Sequence, residues 1–338
     1  MKIAVVIRTL NEGKYLAETL KSLVNQAGLF TLNIIIVDSG STDNTKAIAR
    51  SFGAQVIDIA PKIWSWGRSL NIGIEKSDAD VIFITSGHCI LASNDFIQLA
   101  LAAMDGGFAA VYGRQIPIAG FDPFEEWELR EWYPAAGVYE MYSSEKLVGV
   151  SNACCMLKKS VWRDLKFDED AQSMEDGIWA VSALEMGYKL KYSADFSLKH
   201  SHVFNIEYSY KKWFYRTLEG LCFDKKLNGH KRSYKIKYSL KSFLLLYILC
   251  FRGTYETCRI AIFLRDTYIM QYSKIMAFQY LKYHAIYSAY ISFKTNVSKS
   301  YINQTLTGCC ITKFCLKSLK DYRPYAINAL GCEGNRRE

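Results

Sequence analysis

Short apolar runs alternate with segments of helical spacing over the first 120 residues, and this alternation limits the fold more than any other feature. Four apolar runs have the length and β-branched character of strands: Ile3–Ile7, Ile34–Val37, Gln55–Ile59 and Val81–Thr85. The segments between them place apolar residues three and four positions apart, as helices do. The pattern predicts an α/β fold in which helices cover both faces of a mostly parallel sheet. Ligands of such sheets bind beyond the carboxyl ends of the strands.

The charge of the chain divides it into two parts. Residues 1–203 contain 19 basic and 25 acidic side chains, a net charge of −6, whereas residues 204–338 contain 23 and 8, a net charge of +15. From about Tyr208 the pattern changes to helices rich in Tyr, Phe, Lys and Arg. We therefore expect one domain over residues 1–205 and a basic, aromatic-rich helical region over residues 206–338.

The basic region suits the surface of an anionic membrane. Seven Lys and Arg residues lie within Lys225–Lys241, directly before the apolar run Phe243–Phe251. The alternatives are an ordinary helical subdomain with a solvated basic face, an acceptor-binding surface, or a surface for homo-oligomer formation. No nucleic-acid motif accompanies the charge, so nucleic acid is not an expected partner.

The sequence predicts a cytoplasmic protein that lies, as a peripheral protein, at the inner face of the membrane. No apolar window reaches the ~18–20 residues of a spanning helix, and the N-terminus does not have the pattern of a signal peptide. The ten cysteines include no CxxC pair, which favours free thiols in a reducing compartment.

Polar residues follow three of the predicted strands and mark the expected ligand site. Thr9 and Glu12 follow the first strand, and Asp38 ends the second, where its carboxylate can accept a hydrogen bond from the N3–H of uracil or thymine. Asp43 is expected to cap the next helix instead. His88 follows the fourth strand.

Four motifs occur in an order and spacing that resemble a known family: IRTLNE, VDSGSTDNT, MEDGIWA and KHSH. The chain resembles family 2 of the nucleotide-sugar glycosyltransferases, which have the GT-A fold, over about residues 1–205. Four further segments are similar to those of one branch of this family, which includes rhamnosyltransferase-like enzymes of bacterial surface polysaccharides. These segments are WSWGRSLNIGIE, VYGRQIP, SNACCMLKKSVW and FDED.

The resemblance implies a donor site. It implies that Thr9, Glu12 and Asp38 hold a pyrimidine nucleoside, and that Ser86 and His88 lie by the diphosphate. Arg68 has two open roles, a bidentate contact to the diphosphate or a surface ion pair. The sugar pocket would be lined by Ser151 and Asn152, with Arg114 and Gln115 as further candidates for its floor.

The chain departs from the family at residues 86–88. The family usually has Asp-x-Asp here, to carry the divalent metal, Mn²⁺ or Mg²⁺, that bridges the donor diphosphate, but this chain has Ser86-Gly87-His88. Three roles for His88 stay open: a metal ligand together with His202 or His200, a direct contact to the diphosphate, or a satisfied polar residue. Imidazole is a tolerable ligand for Mn²⁺ and a poor one for Mg²⁺.

Glu175 and Asp176 match the acidic pair of the family. An inverting transferase needs a carboxylate to take the proton of the acceptor hydroxyl, and the resemblance gives this role to Asp176, with Glu175 raising its pKa through like charge. The acidic pair would also stabilise the start of the helix that follows.

The sequence therefore predicts an inverting glycosyltransferase that moves a sugar from a dTDP- or UDP-sugar donor to a glycan or lipid-linked acceptor in surface-polysaccharide synthesis (O-antigen or capsule). The alternative is a non-catalytic nucleotide- or glycan-binding protein on the same fold, which the loss of Asp-x-Asp favours. A nucleotidyltransferase is disfavoured, because residues 8–14, RTLNEGK, contain one Gly where such enzymes have a Gly-rich loop.

Overall fold

A computed structural model describes residues 1–118, 123–144, 147–171 and 173–202, with residues 209, 212, 213, 215–217, 282 and 286. The chain divides into two compact units. The first unit comprises Met1–Ala119, Glu128–Ala171 and Glu175–His202, and it contains all of the sheet. The predicted region 206–338, with its basic segment and apolar run, lies almost entirely outside the described residues.

The described strands form one nine-stranded sheet in the order β3-β2-β1-β4-β8-β6-β9-β5, with β7 paired to β9. The strands are β1 (Lys2–Thr9), β2 (Thr31–Asp38), β3 (Gln55–Asp58), β4 (Val81–Ser86), β5 (Ile90–Leu91), β6 (Ala110–Ile116), β7 (Val138–Met141), β8 (Cys154–Lys158) and β9 (Leu190–Lys199). The first four strands pair in parallel, as the alternating pattern predicts, and so do β6 and β9. Strand β8 runs antiparallel between β4 and β6.

Helices cover both faces of the sheet. They are α1 (Leu16–Val24), α2 (Thr45–Ser51), α3 (Trp66–Glu75), α4 (Phe96–Ala103), α5 (Pro123–Trp132), α6 (Lys159–Asp164) and α7 (Glu175–Glu185). Helices α1, α2 and α4 pack on one face of the sheet, and α3, α6 and α7 pack on the other. Because β1, β2 and β4 are buried on both faces, they read as continuous apolar runs rather than alternating ones.

Helix α3 shows how the sequence sets local structure. Ser65 caps its start, accepting a hydrogen bond from the backbone N–H of Arg68 at 3.2 Å. Gly73 lets the helix approach the sheet, since a Cβ there would lie 2.5 Å from Cγ1 of Val6. At the end of α7, Gly187 has φ +84°, as expected of a helix C-cap.

The carboxyl ends of β1, β2 and β4 meet at one edge of the sheet. In the register of the sheet Thr9 pairs with Asp38, and Arg8 pairs with Ser86. The polar segments after these strands therefore lie side by side, as the parallel topology requires.

Two further expectations concern the thiols and the membrane. Cys89, Cys154 and Cys155 are buried and free, in agreement with the expected free thiols among the described residues. Within the described ranges, no helix has the length and hydropathy needed to span a bilayer.

Candidate active site

The loops after β1 and β2 are fastened to each other by hydrogen bonds. The backbone N–H of Asn11 donates to Oγ of Ser41 at 2.8 Å, and Oδ1 of Asn11 accepts from the N–H of Thr42 at 2.9 Å. The N–H of Glu12 donates to Oγ1 of Thr45 at 2.8 Å. Asn11 has φ 56°, a left-handed conformation that Asn tolerates better than most residues. The turn at Asn11 thus fixes the backbone from which the Glu12 side chain extends.

Asp38 is fully buried, and the protein satisfies its carboxylate. Oδ1 accepts from the backbone N–H groups of Gly40 and Ser41 at 3.1 and 2.7 Å. Oδ2 accepts from the hydroxyls of Thr9 and Ser41 at 2.8 and 2.6 Å. These four bonds match the acceptor capacity of an ionised carboxylate. Asp38 therefore fixes the shape of the loop that follows β2, and Thr9 takes part through its hydroxyl.

Asp43 lies directly before Asn44, the N-cap residue of α2. Its Oδ1 accepts from the N–H of Thr45 at 3.0 Å, and its Oδ2 accepts from the N–H of Gly13 at 3.0 Å. Although partial burial of the carboxylate opposes ionisation, hydrogen bonds from the Thr45 hydroxyl and from the backbone N–H groups of Thr45 and Gly13 lower its pKa. The N-cap residue of α2 is Asn44, whose side chain makes no cap hydrogen bond, so the expected cap is displaced by one residue: Asp43 precedes Asn44 and bonds the N–H of Thr45, the first residue of the helix.

Three histidines lie together beside Glu12. Nδ1 of His88 is 2.9 Å from Oε1 of Glu12, and Nε2 of His88 is 3.1 Å from Nε2 of His200. Nδ1 of His200 is 2.7 Å from Oε1 of Gln115, which is only 2% exposed. The ring centroid of His202 is 4.8 Å from that of His88 and 4.7 Å from that of His200.

The pairing of β5 with β9 brings this histidine cluster (His88, His200 and His202) together. Ile90 is opposite Lys199 and Leu91 is opposite Leu198, so the antiparallel register puts residue 88 opposite residue 201 when it is continued past the ladder. His200 also continues the β6–β9 pairing, since its N–H donates to the carbonyl of Ile116 at 2.9 Å. Residues more than 100 positions apart in sequence thus converge on one point.

The histidine cluster has the donors for a divalent transition metal. One ring nitrogen from each residue can act as a ligand, and these atoms lie within 4.8 Å of one another. Imidazole nitrogens bind Zn²⁺ at about 2.0–2.1 Å, so two of them on one ion lie at most about 4.2 Å apart. The Nε2 atoms of His88 and His200 are 3.1 Å apart and are within this limit. The widest separation among the three ligand nitrogens, 4.8 Å, exceeds the limit by roughly 0.6 Å, a difference that rotation of one side chain can close.

Arg8 and Glu175 form a buried ion pair. Nη1 of Arg8 lies 2.8 Å from Oε1 of Glu175, and the two side chains are 11% and 6% exposed. The guanidinium also lies 4.6 Å from the ring centroid of Trp66 and donates to its carbonyl at 3.3 Å. Nδ2 of Asn152 donates to Glu175 at 3.4 Å. The positive charge of Arg8 therefore offsets the negative charge of Glu175 that was expected to act on Asp176.

Asp176 begins α7 with a half-buried carboxylate. Its Oδ1 accepts from the N–H of Gly177 at 2.7 Å, and its Oδ2 accepts from the N–H of Asn152 at 3.4 Å. Oγ of Ser151 accepts from the N–H of Ala153 at 3.2 Å, which shapes the turn before β8. The turn at 151–153 and the start of α7 thus hold each other in place.

Arg68 is engaged with Glu169. Its Nε donates to Oε2 of Glu169 at 2.7 Å, and its Nη1 donates to the carbonyl of Ile63 at 2.8 Å. Nδ2 of Asn71 donates to the same carboxylate at 3.0 Å, and both bonds lower the pKa of Glu169, that from Asn71 most. Of the two roles left open for Arg68, the structure contains the ion pair.

The structure brings the predicted residues into two groups. One joins Glu12 and His88 to His200, His202 and Gln115, and the other joins Glu175, Asp176 and Asn152. Sequence reasoning did not identify Arg8. The available signal was a charged residue directly after the apolar run IAVVI, since a buried charge requires a partner. Sequence reasoning proposed Gln115 only for the sugar pocket, and it did not foresee the contact between Glu12 and His88.

Residues 4–165 match the model of a family described as Glycosyl transferase family 2. These residues are a family 2 glycosyltransferase domain, so the predicted family and the predicted class of enzyme, a glycosyltransferase, are confirmed.

Two curated relatives from Salmonella are similar to a larger part of the chain. One is the O-antigen chain rhamnosyltransferase RfbN of Salmonella typhimurium, 28% identical over 223 residues that cover 63% of this chain and 71% of the relative. The other is the O-antigen chain rhamnosyltransferase WbaN of Salmonella anatum, 28% identical over 190 residues, or 54% of this chain and 60% of the relative. The second match thus spans less than two thirds of WbaN.

A solved structure shares the fold. The S. aureus protein TarS 1-349, crystallised in complex with UDP, superposes with a TM-score of 0.50 at 17% identity over 88% of this chain and 93% of its own. The predicted GT-A fold is confirmed at this level.

Proposed function

We propose that the chain is an inverting glycosyltransferase that transfers a deoxyhexose or similar sugar from a dTDP- or UDP-sugar to a glycan or lipid-linked acceptor in bacterial surface-polysaccharide synthesis. The names of RfbN and WbaN, both O-antigen chain rhamnosyltransferases, support the acceptor class and the deoxyhexose. The observation that carries the mechanism is the unequal environment of two adjacent carboxylates. Glu175 is buried and ion-paired, whereas Asp176 is half-buried at the start of a helix.

This inequality divides the roles of the two residues. Glu175 is held by Arg8 and Asn152 and is a positioning residue, because its charge is neutralised inside the protein. Asp176 has its carboxylate oriented by the backbone N–H groups of Asn152 and Gly177. A base mounted on a rigid helix start keeps its geometry through the reaction. Asp176 is therefore our candidate for the catalytic base.

The reaction is a single displacement at the anomeric carbon. The acceptor hydroxyl oxygen forms a bond to that carbon while the bond from the carbon to the phosphate oxygen breaks. The hydroxyl proton passes to the carboxylate of Asp176, and the nucleoside diphosphate leaves with the electron pair of the broken bond. Because attack and departure take place on opposite faces of the sugar, the anomeric configuration inverts.

The donor lies against the carboxyl ends of β1, β2 and β4 in this proposal. Asp38 and Thr9 shape the nucleoside pocket through the loop they fix. The proposed contact between Asp38 and a pyrimidine N3–H requires that the base replace one of the hydroxyl bonds from Thr9 or Ser41. Ser86, Ser151 and Asn152 stay proposed for the diphosphate and sugar. A divalent cation held by His88 and His202, when bound, would neutralise charge on the leaving diphosphate.

The acceptor and the cell location follow from the same proposal. A lipid-linked acceptor lies at the inner face of the cytoplasmic membrane, where the positive charge of residues 204–338 would be attracted to anionic lipids. The full chain is then expected to sediment with vesicles containing phosphatidylserine and not with neutral phosphatidylcholine vesicles. Equal sedimentation with both would remove the electrostatic basis of the membrane contact.

The decisive experiment measures release of nucleoside diphosphate from dTDP-rhamnose and from UDP-sugars in the presence of acceptor glycans. We expect Asp176→Asn to lower kcat by at least about 10²-fold with little change in donor affinity, because it removes the base and keeps the shape. Asp170→Asn, another acidic residue of the same unit, is the matched control. Full turnover by Asp176→Asn would refute the assignment, and donor binding by calorimetry without turnover on any acceptor would favour the non-catalytic alternative.

A further inference from the structure

We propose that His88, His200 and His202 form a three-imidazole metal centre that selects a first-row transition ion over Mg²⁺, with Glu12 and Gln115 as positioning residues. Its basis is the pattern of hydrogen bonds around the two imidazoles that face each other. The proposed transferase function enters only where the donor diphosphate is considered.

The hydrogen-bond partners of His88 and His200 fix where their protons lie. An ionised Glu12 carboxylate can only accept, so Nδ1 of His88 carries a proton. In the amide orientation of this structure, the side-chain oxygen of Gln115 faces Nδ1 of His200 and can only accept, so this Nδ1 carries a proton as well. A neutral imidazole has a single N–H. Both Nε2 atoms are therefore bare in the neutral tautomers, and their lone pairs face each other at 3.1 Å.

Two lone pairs at this separation repel each other unless a cation lies between them. A proton would serve two nitrogens, but the structure brings a third imidazole to the same point, because His202 lies nearly equidistant from the other two rings. Three nitrogens converging within 4.8 Å suit a metal ion better than a shared proton.

Glu12 and Gln115 then have the role of residues that orient metal ligands. Histidines that bind metals usually donate their other N–H to a carboxylate or a carbonyl oxygen, which fixes the tautomer and the ring orientation. Here one histidine donates to a carboxylate at 2.9 Å and the other donates to a buried amide oxygen at 2.7 Å. The Nε2 of Gln115 has no hydrogen-bond partner among the described residues. Among these residues, the contact to His200 is therefore the one hydrogen bond of the Gln115 side chain.

The chemistry of the ligands sets the choice of ion. Imidazole suits Zn²⁺, Co²⁺ and similar ions, whereas Mg²⁺ requires oxygen ligands. The total charge of the ligands also differs from that of a pair of carboxylates, because two carboxylates would neutralise a divalent ion completely. With three neutral imidazoles and the single carboxylate of Glu12, a bound divalent ion leaves a net charge of about +1 facing the donor diphosphate.

The test is a titration of the metal-free full chain with Co²⁺, followed by visible ligand-field absorption and by competition with a chelator. We expect one ion per chain, with an absorption stronger than that of the aqueous ion, and no displacement by a large excess of Mg²⁺. His200→Phe should abolish the signal while it preserves the packing. The remaining two histidines of the chain provide the matched control, since His230→Gln/His284→Gln should bind as the parent does.

A second pair of variants tests the positioning role of Gln115. Gln115→Leu should weaken Co²⁺ binding by about 10- to 100-fold, and Gln115→Glu, which restores an acceptor, should recover most of it. The opposite orientation of the Gln115 amide would donate to His200 and complete the hydrogen bonds without any cation. Under that arrangement the parent binds no Co²⁺, which would overturn the proposal. Equal affinity for His200→Phe and the parent, or ready displacement by Mg²⁺, would overturn it too.

Unfolding midpoints of each variant separate loss of the site from loss of the fold. The titration uses neither donor nor acceptor, so Co²⁺ binding can fail while sugar transfer succeeds. Sugar transfer can likewise fail while Co²⁺ binds, so failure of the metal centre and failure of the proposed function are distinguishable.

Discussion

Arg8→Met should destabilise the protein far more than the loss of an ordinary surface ion pair. The side chains of Arg8 and Glu175 are 11% and 6% exposed, so water and salt screen their interaction little. Removing the guanidinium leaves a buried carboxylate whose one remaining hydrogen bond within the described part of the chain is the 3.4 Å bond from Asn152. The unfolding free energy should fall by about 3–5 kcal/mol, the usual cost of stranding one partner of a buried pair.

A double-mutant cycle with Glu175→Gln shows whether the loss of the ion pair causes this destabilisation. Glu175→Gln in the Arg8→Met background removes the stranded charge and keeps an oxygen for Asn152. The double variant should be more stable than Arg8→Met, with a coupling free energy of about 2–3 kcal/mol.

The assay is equilibrium urea unfolding at pH 7, followed by tryptophan fluorescence and far-ultraviolet circular dichroism. Lys46→Met is the matched control, because Lys46 and Asp58 form a 3.0 Å pair whose side chains are 31% and 56% exposed. It should cost less than about 1 kcal/mol. A loss below about 1 kcal/mol for Arg8→Met, or independent effects of the two site substitutions, would refute the reasoning.

Two further predictions concern the histidine cluster and the response to acid. Gly87→Ala should weaken Co²⁺ binding about tenfold, because a Cβ there would lie 2.9 Å from Cγ of Glu12 and push that side chain away from His88; unchanged affinity in the same titration would contradict this. Glu169 has a pKa lowered by Asn71 and Arg68, so its contribution to stability is complete above its unfolded pKa of about 4.3 and is lost as the pH falls through the lower folded value. Urea midpoints of Glu169→Gln should therefore fall less steeply than those of the parent below about pH 4.3, and parallel curves would disprove the linkage.

The sequence predicted the N-terminal elements because local signals there are strong. The runs now seen as β1 to β4 are apolar and β-branched, and the helices between them have clear spacing and polar ends. The antiparallel place of strand β8 between β4 and β6 was not predicted, because it depends on pairings that leave no local signal.

The candidate site was predicted only in part, for the same reason. His88 and His202 were identified as metal candidates from motifs, whereas the contact of His200 with both His88 and Gln115 arises from strand pairings that join distant segments. Arg8 lies inside β1, whereas the predicted strand, Ile3–Ile7, ended one residue before it. Its role became visible once α7 placed Glu175 against it, 167 residues further along the chain.

The pairing of β5 with β9 has a consequence for how the molecule is made. His88 and His200 are 112 positions apart, so the centre cannot assemble until synthesis has passed β9, long after β1 to β4 have left the ribosome. Contacts of such high sequence separation carry a large loop-closure entropy and form late in folding. A nascent or truncated chain that ends before β9 therefore presents the loops of the parallel strands with His88 lacking His200 and His202. Capture of a metal ion by the proposed centre would then mark the completion of the domain.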